Sequence, residues 1–338
     1  MHEKIVKPRA LKPGDTIKII APSSMLTSEY NLSQALKFLK DKGFKVSLSK
    51  SMTQVSNARY FTAGDHIRTA EIENAFKSDD IDAIIALKGG AGAIDLINMI
   101  DYDIIKDHPK IFIGSSDITL LQLAFLKKAG LVTFQGPMLI DLMENNSSIL
   151  KHNWTALIDI IQNGSEAVLR NPEEGAQART LIEGTAKGRI IGGNLSMIAL
   201  IANTGYMPKT DGSLLFLEDV NVEPWVLDNL LTSLFIRGVI QKARGVFFGG
   251  FPHYGVKNAI DTQTSTSYIM ESIFTEDYLT AAIHNTILDI MTRKAKIPSF
   301  VEFACCHGEY VTTVPIGVNG ELDSEEKTVT MLESAVEL

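Results

Sequence analysis

The sequence predicts an α/β protein, with a parallel sheet in its first half and a second unit containing strands after it. Three observations predict this. Short β-branched runs alternate with amphipathic helical stretches over the first 135 residues. Periodicity stops between Asn163 and Arg179. The length, 338 residues, is too great for one small domain and suits two packed together.

Each element follows from its own pattern. Residues 17–21 are an apolar run stopped by Pro22, which reads as a buried strand. Leu32, Ala35, Leu36 and Leu39 recur at helical spacing, with Gly43 where a C-cap belongs. Residues 44–48 alternate like a strand. Residues 66–76 form a helical pattern through Ile67, Ala70 and the run 72–76. A strand at 81–87 leads to a helix expected over 91–100. A strand at 110–114, a helix at 118–128 and a strand at 131–134 follow, and then a helix at 149–162. Short strands alternating with helices imply a parallel sheet covered on both faces. Residues 163–179 carry Gly164, Pro172, Glu173, Glu174 and Gly175 and read as a linker or crossover. Beyond it lie strands at 214–217 and 246–248 and helices at 225–241 and 280–292. Residues 310–330 read as β-rich, with Asn319-Gly320 as a hairpin turn.

Composition narrows the partners. Hydrophobic residues make up 45% and charged residues 21%, which allows a large core and argues against wholesale disorder. Lys and Arg total 32 against 40 Asp and Glu, giving −8 with His neutral. An acidic chain with no basic run is a poor partner for nucleic acid. The two cysteines, Cys305 and Cys306, are neighbours and supply no disulfide framework, which points to a reducing compartment. Residues 1–13 are polar and lack the apolar core of a secretory signal, and no stretch approaches the ~20 apolar residues that span a bilayer. A cytoplasmic protein without nucleic-acid or membrane partners is expected.

Ligands of open parallel sheets bind at the carboxyl ends of the strands. Three such ends should share one edge: Ala21-Pro22-Ser23-Ser24, Lys88-Gly89-Gly90-Ala91-Gly92 and Gly114-Ser115-Ser116-Asp117. The glycine-rich segment fails the dinucleotide pattern, because Asp95 stands where the third glycine belongs, and no Gly-Lys-Ser/Thr follows for a P-loop. It can be a tight turn, a phosphate cradle or a set of unobstructed N–H groups for an oxyanion, the use we favour. The serine segment ends a strand and starts a helix at once. That geometry can expose a serine at a sharp turn, though on local grounds a helix cap is the commoner use.

A serine nucleophile needs a base, and the base an orienting partner. Of seven histidines, His2 is terminal, His66, His152 and His284 fall in helical patterns and read as surface or boundary residues, and His108 precedes Pro109 in a loop. His253 and His307 remain. His307 follows an apolar run and precedes Gly308, at a strand end. Glu218-Asp219 ends the run 214–217 and can cap that strand or orient a histidine. Cys305-Cys306-His307 has no second ligand pair at metal spacing, so no metal is expected.

Taken in order, these segments resemble the LD-carboxypeptidase family of serine peptidases. The resemblance starts at Leu11-Lys12-Pro13-Gly14-Asp15 and Ala21-Pro22-Ser23-Ser24. It runs through residues 81–90, Gly114-Ser115-Ser116-Asp117, Gly136-Pro137-Met138, Gly192-Gly193-Asn194-Leu195 and Leu217-Glu218-Asp219 to His307-Gly308. It implies a Rossmann/flavodoxin-like parallel-sheet domain over 1–163, a linker over 164–180, and a smaller, mainly β domain over 181–338. It implies a catalytic triad of Ser116, His307 and Glu218, an oxyanion hole from the N–H groups of Gly90 and Asp117, and no cofactor. The substrate class implied is a small peptide, a murein tetrapeptide that loses its terminal D-alanine during cytoplasmic recycling. A sister branch cleaves microcin-type peptidyl-nucleotides. A homodimer is compatible with the resemblance but not specified by it. The chain departs from the family pattern with Lys88 for Arg, Ala91 for Tyr, Ser115 for an aromatic residue and Gln135 for His. Lys88, Gly89, Ser115 and Gln135 are therefore the positions expected to shape substrate binding. The competing non-enzyme reading is an α/β protein binding a nucleotide or other ligand at the glycine turn.

Overall fold

The computed structural model describes residues 4–26, 32–53, 61–164, 167–252 and 277–338, with the backbone alone for 277–283. Strands β1 (Thr16–Ile20), β2 (Lys45–Leu48), β3 (Ala83–Ala86), β4 (Ile111–Gly114) and β5 (Thr133–Gln135) form a parallel sheet in the order β2-β1-β3-β4-β5. Every residue of β3, β4 and β5 is buried, which is why these segments read as unbroken apolar runs. Helices α1 (Leu32–Asp41), α2 (Asp65–Lys77), α3 (Tyr102–Asp107), α4 (Thr119–Ala129) and α5 (Ser147–Asn163) accompany them. The strand order reverses direction between β1 and β3, so the crevice at their carboxyl ends is the natural ligand site of this sheet.

The helix expected over 91–100 is replaced by a 3-10 turn at Ala93–Asp95 followed by irregular turns. Gly90 and Gly92 both sit at φ 117°, which bends the chain where a helix would have begun. The helix forms later, at Tyr102, where the Asp101 side chain accepts the Asp103 N–H at 3.1 Å. In α2 the inward face differs from the apolar pattern. Ile67 is 46% exposed, whereas Arg68 is buried with Ile72, Ala75 and Phe76.

The second sheet has eight strands, β6 (Val168–Leu169), β7 (Arg179–Ile182), β8 (Thr185–Asn194), β9 (Leu214–Glu218), β10 (Gly245–Gly249), β11 (Ser299–Phe303), β13 (Asn319–Asp323) and β14 (Thr328–Met331). Their order is β6-β14-β13-β8-β9-β10-β11-β7. The ten-residue β8 joins its two parts. Its first half pairs antiparallel with β13, and its second half pairs parallel with β9. Helices α6 (Leu195–Ile201), α7 (Pro224–Ile236) and α8 (Asp277–Ala295) accompany this sheet.

Three readings of this half need correction. The expected elements omit β7, β8 and α6; in β8, Lys187, Gly188, Arg189, Gly192 and Gly193 interrupt any apolar pattern. A Cβ on Gly192 would meet the Phe216 carbonyl oxygen at 1.9 Å, so close strand pairing demands that glycine. Asn319-Gly320 opens β13 instead of turning a hairpin, and the reversal falls at residues 324–327. The stretch read as a linker contributes β6, which pairs with β14. Finally, β12 (Val314–Ile316) pairs antiparallel with β5, so the C-terminal half of the chain supplies the edge of the first sheet.

Candidate active site

The three strand ends expected on one edge are tied together there. Ala91 N donates to Ser24 Oγ at 3.1 Å, Ser23 Oγ donates to Asp117 Oδ2 at 2.6 Å, and Ala93 N donates to the same Oδ2 at 2.9 Å. Between them, Ser116 stands at the end of β4 with φ 60°. Such a backbone costs a non-glycine residue on the order of 1–3 kcal/mol and persists only where its surroundings impose it. Ser116 also differs from its neighbours in exposure. It is partly exposed, whereas Ser115 and Asp117 on either side are 1% and 3% exposed. A 3-10 turn at Ser116–Ile118 runs straight into α4, so the serine lies at a helix start. Gly89 lies against it: a Cβ there would come 2.8 Å from Ser116 Cβ and 3.0 Å from Oγ. Gly90 is the exposed apex of the turn and Lys88 its half-buried base.

The second sheet supplies an acid and a base. Glu218 ends β9 and is 1% exposed, and His307 lies in the loop after β11. His307 Nδ1 and Glu218 Oε2 are 2.6 Å apart. Gly249 on the adjacent strand makes room, because a Cβ there would meet Glu218 Cβ at 2.7 Å and Cys305 Sγ at 2.5 Å. Burial alone would lower the His307 pKa. The hydrogen bond and charge of Glu218, with the charges of Asp219 and Asp141, outweigh it and hold the imidazole above its ordinary 6.5. Asp219 does not reach the ring. It accepts from Asn194 Nδ2 at 3.0 Å and from Ser196 Oγ at 2.6 Å, anchoring the start of α6. Asp141 belongs to the first unit, and burial pushes its carboxyl up to about 6 against the opposing effects of the Met138 N–H and the charge of His307.

The two halves meet around Thr119, in the first turn of α4. Its Oγ1 accepts from Asn194 N at 3.0 Å and from Gln135 Nε2 at 2.8 Å. Gln135 Oε1 in turn lies 3.6 Å from Cys306 Sγ, beside His307. Asn194 is the register partner of Glu218. Through Gln135, two of these contacts connect the helix that follows Ser116 to the loop carrying His307. Gln135 is wholly buried within this network and Ser115 is buried beside it, so neither side chain offers a surface to a ligand as the chain stands.

The other histidines fall away. His66 and His108 are exposed, and His152 is half-buried against Tyr310 with ring centroids 5.3 Å apart. His284 is not at the surface as its pattern suggested: it is 3% exposed and packed near Phe251. His2 and His253 lie outside the described residues. Among the described residues no group of three or more His, Cys, Asp or Glu side chains could hold a metal ion. Cys305 and Cys306 are buried core residues. Burial raises the Cys305 thiol, and the hydrogen bond between the two thiols, together with burial, raises Cys306 well above its ordinary value. Sequence reasoning missed Arg68, Thr119 and Asp141, each of which acts through partners remote in sequence.

A family model for the LD-carboxypeptidase N-terminal domain matches residues 17–136, and one for the C-terminal domain matches residues 187–322. The chain belongs to the LD-carboxypeptidase family. Within this family it is 32% identical to the probable murein peptide carboxypeptidase of Bacillus subtilis (strain 168), over 95% of this chain and 93% of that one. It is 26% identical to the Microcin C7 self-immunity protein MccF of Escherichia coli, over 98% and 96%. The fold matches the MccF-like protein from Bacillus anthracis str. Ames at a TM-score of 0.81, with 26% identity over 96% of this chain and 99% of that one. It matches muramoyltetrapeptide carboxypeptidase from Oxalobacter formigenes at 0.73, with 25% identity over 94% and 97%. An LD-carboxypeptidase family member is a hydrolytic enzyme of the serine carboxypeptidase type, and the ligand-binding alternative gives way to this. No helix among the described residues is long and apolar enough to cross a membrane.

Proposed function

We propose that the chain is an L,D-carboxypeptidase that removes the terminal D-alanine from murein tetrapeptides in the cytoplasm, using Ser116, His307 and Glu218. The observation that carries this reading is the buried Glu218 carboxylate 2.6 Å from His307 Nδ1, with an outward-turned serine on the adjoining sheet edge. Ser116 Oγ attacks the carbonyl carbon of the scissile bond and passes its proton to His307 Nε2. Glu218 holds the ring through Nδ1–H and balances the imidazolium charge. The oxyanion is received by the N–H groups of Gly90 and Asp117 at the strand ends. The tetrahedral adduct collapses, the C–N bond breaks, and His307 returns the proton to the departing amine of D-alanine. Water repeats the sequence on the acyl-enzyme, giving the shortened peptide and restoring Ser116. Side chains supply every proton transfer, so chelators are expected to leave the rate unchanged.

The likeness to MccF, which extends over nearly the whole chain, favours one second reading: hydrolysis of an aminoacyl- or peptidyl-nucleotide amide by the same three residues. Incubation of the purified protein with a murein tetrapeptide and, separately, with an acyl-sulfamoyl adenosine tests both. Release of D-alanine from the tetrapeptide supports the first reading. Cleavage of the nucleotide conjugate alone would replace it with the second.

A further inference from the structure

Behind the glycine turn, on the inward face of α2, lies an arginine that the chemistry just described does not use. Arg68 is 1% exposed. Its Nε donates to the Ala63 carbonyl at 3.1 Å, and one terminal nitrogen donates to the carbonyls of Gly92, at 3.0 Å, and Pro22. The other terminal nitrogen pairs with Asp65 at 2.6 Å, whose side chain is 35% exposed. The guanidinium also lies 4.5 Å from the centroid of the Phe61 ring. Three carbonyls from three separate segments converge on one cation, two of them in the loops that end β1 and β3. Gly92 is shaped to this contact, since a Cβ there would come 2.9 Å from the guanidinium and 2.6 Å from Phe61.

A buried guanidinium is costly, and a well-packed apolar side chain is often no worse for stability. A fork of five donors can, however, hold several carbonyls at fixed angles at once, which a lysine ammonium does not do. Asp117 completes the arrangement from the front. Its carboxylate is held by Ser23 Oγ and Ala93 N, so the residue following Ser116 is fastened to the same two loops that Arg68 grips. Burial raises the Asp117 pKa, while these two hydrogen bonds and the charge of Arg68 oppose that rise.

We propose that Arg68 and the Asp117 side chain are positioning residues that fix the glycine turn against Ser116 and so preorganise the oxyanion donors. The proposal rests on the hydrolase reading above. Neither side chain touches the reacting atoms; both act through the backbone of residues 22–24 and 89–93. Misplacement of a catalytic group by about 1 Å costs on the order of 100-fold. Such a loss should appear in kcat and leave ground-state binding alone.

The test compares wild type with Arg68→Lys, Arg68→Met, Asp117→Asn and Ser23→Ala, on whichever of the two substrates the wild type hydrolyses. Rates are expressed per folded molecule from circular dichroism. The milder Ser23→Ala keeps the proposal testable should the Arg68 variants fail to fold. We expect kcat to fall at least about 30-fold in Arg68→Met and about tenfold in Ser23→Ala. KM should stay within about threefold, and the pH limb set by His307 on the other sheet should not move. Arg68→Lys should recover little. A lower melting temperature with wild-type kcat per folded molecule would reduce the two residues to structural supports and overturn the proposal. A wild type inactive on both substrates would overturn the hydrolase reading and this inference with it. That outcome is distinct, because Ser116→Ala would then match wild type as well.

Discussion

Ser116 stands apart from the serine beside it in backbone and in exposure. Its neighbour Ser115 has the same side chain but is extended and buried, while Ser116 takes the left-handed backbone and faces outward. Ser116→Ala should therefore abolish turnover with a change in melting temperature of no more than a few degrees, and Ser115→Ala should keep most activity. Reversed phenotypes would place the nucleophile one residue earlier. The raised pKa of His307 gives a second expectation. Below that pKa the ring is charged and cannot accept the serine proton, so kcat/KM should rise with pH through a value above 6.5. Removing a negative charge near the ring makes the imidazolium less favourable. The rising limb should move to lower pH in both Glu218→Gln and Asp141→Asn, and the plateau of Glu218→Gln should drop about 10³-fold. Limbs that stay in place would mean that activity does not follow this imidazole. Asp141 could not have been singled out beforehand, because nothing local distinguishes a carboxylate in the 3-10 turn Leu139–Met143 from a solvated one.

At the scale of elements, the strands were more legible than the helices that accompany them. Strands buried on both faces, such as β3, β4 and β9, announce themselves as apolar runs. Helix α2 misleads because its inward face carries Arg68, satisfied by carbonyls from other segments, while Ile67 points outward. Strand β8 is hidden because its glycines are required by a close neighbour and not by its own pattern. The contact between α4 and the end of β8 runs through Thr119 Oγ1, which accepts two buried donors. Thr119→Val keeps the shape, takes the acceptor from Asn194 N, and leaves Gln135 Nε2 with Gln122 Oε1 alone, at 2.6 Å. With one buried donor left unsatisfied, this substitution should destabilise the protein by about 1–3 kcal/mol and loosen the seam between Ser116 and His307. Denaturant unfolding measures the first effect and kcat the second. A variant as stable and active as wild type would show that the seam is held elsewhere.

For the whole molecule, the division into halves that the sequence suggests does not correspond to two closed sheets. β12 edges the first sheet, Ala10 N donates to the Glu337 carbonyl at 2.7 Å, and Lys7 pairs with Glu333 at 2.8 Å. Residues 1–163 expressed alone would leave β5 with an unpaired edge, an invitation to aggregation. We expect this fragment to be insoluble or unfolded by circular dichroism and the two separately purified halves to show no activity on mixing. A fragment that folds as a stable monomer would contradict this. By itself the sequence determined the parallel sheet, the three strand ends that share one edge, and the order in which Ser116, Glu218 and His307 arrive, since buried strands and strand-end motifs are local signals. Only the tertiary structure decided which serine faces outward, that Glu218 and not Asp219 meets His307, and that a buried arginine stands behind the glycine turn. Those outcomes depend on groups far apart in the chain that find hydrogen-bond partners only once both sheets have formed.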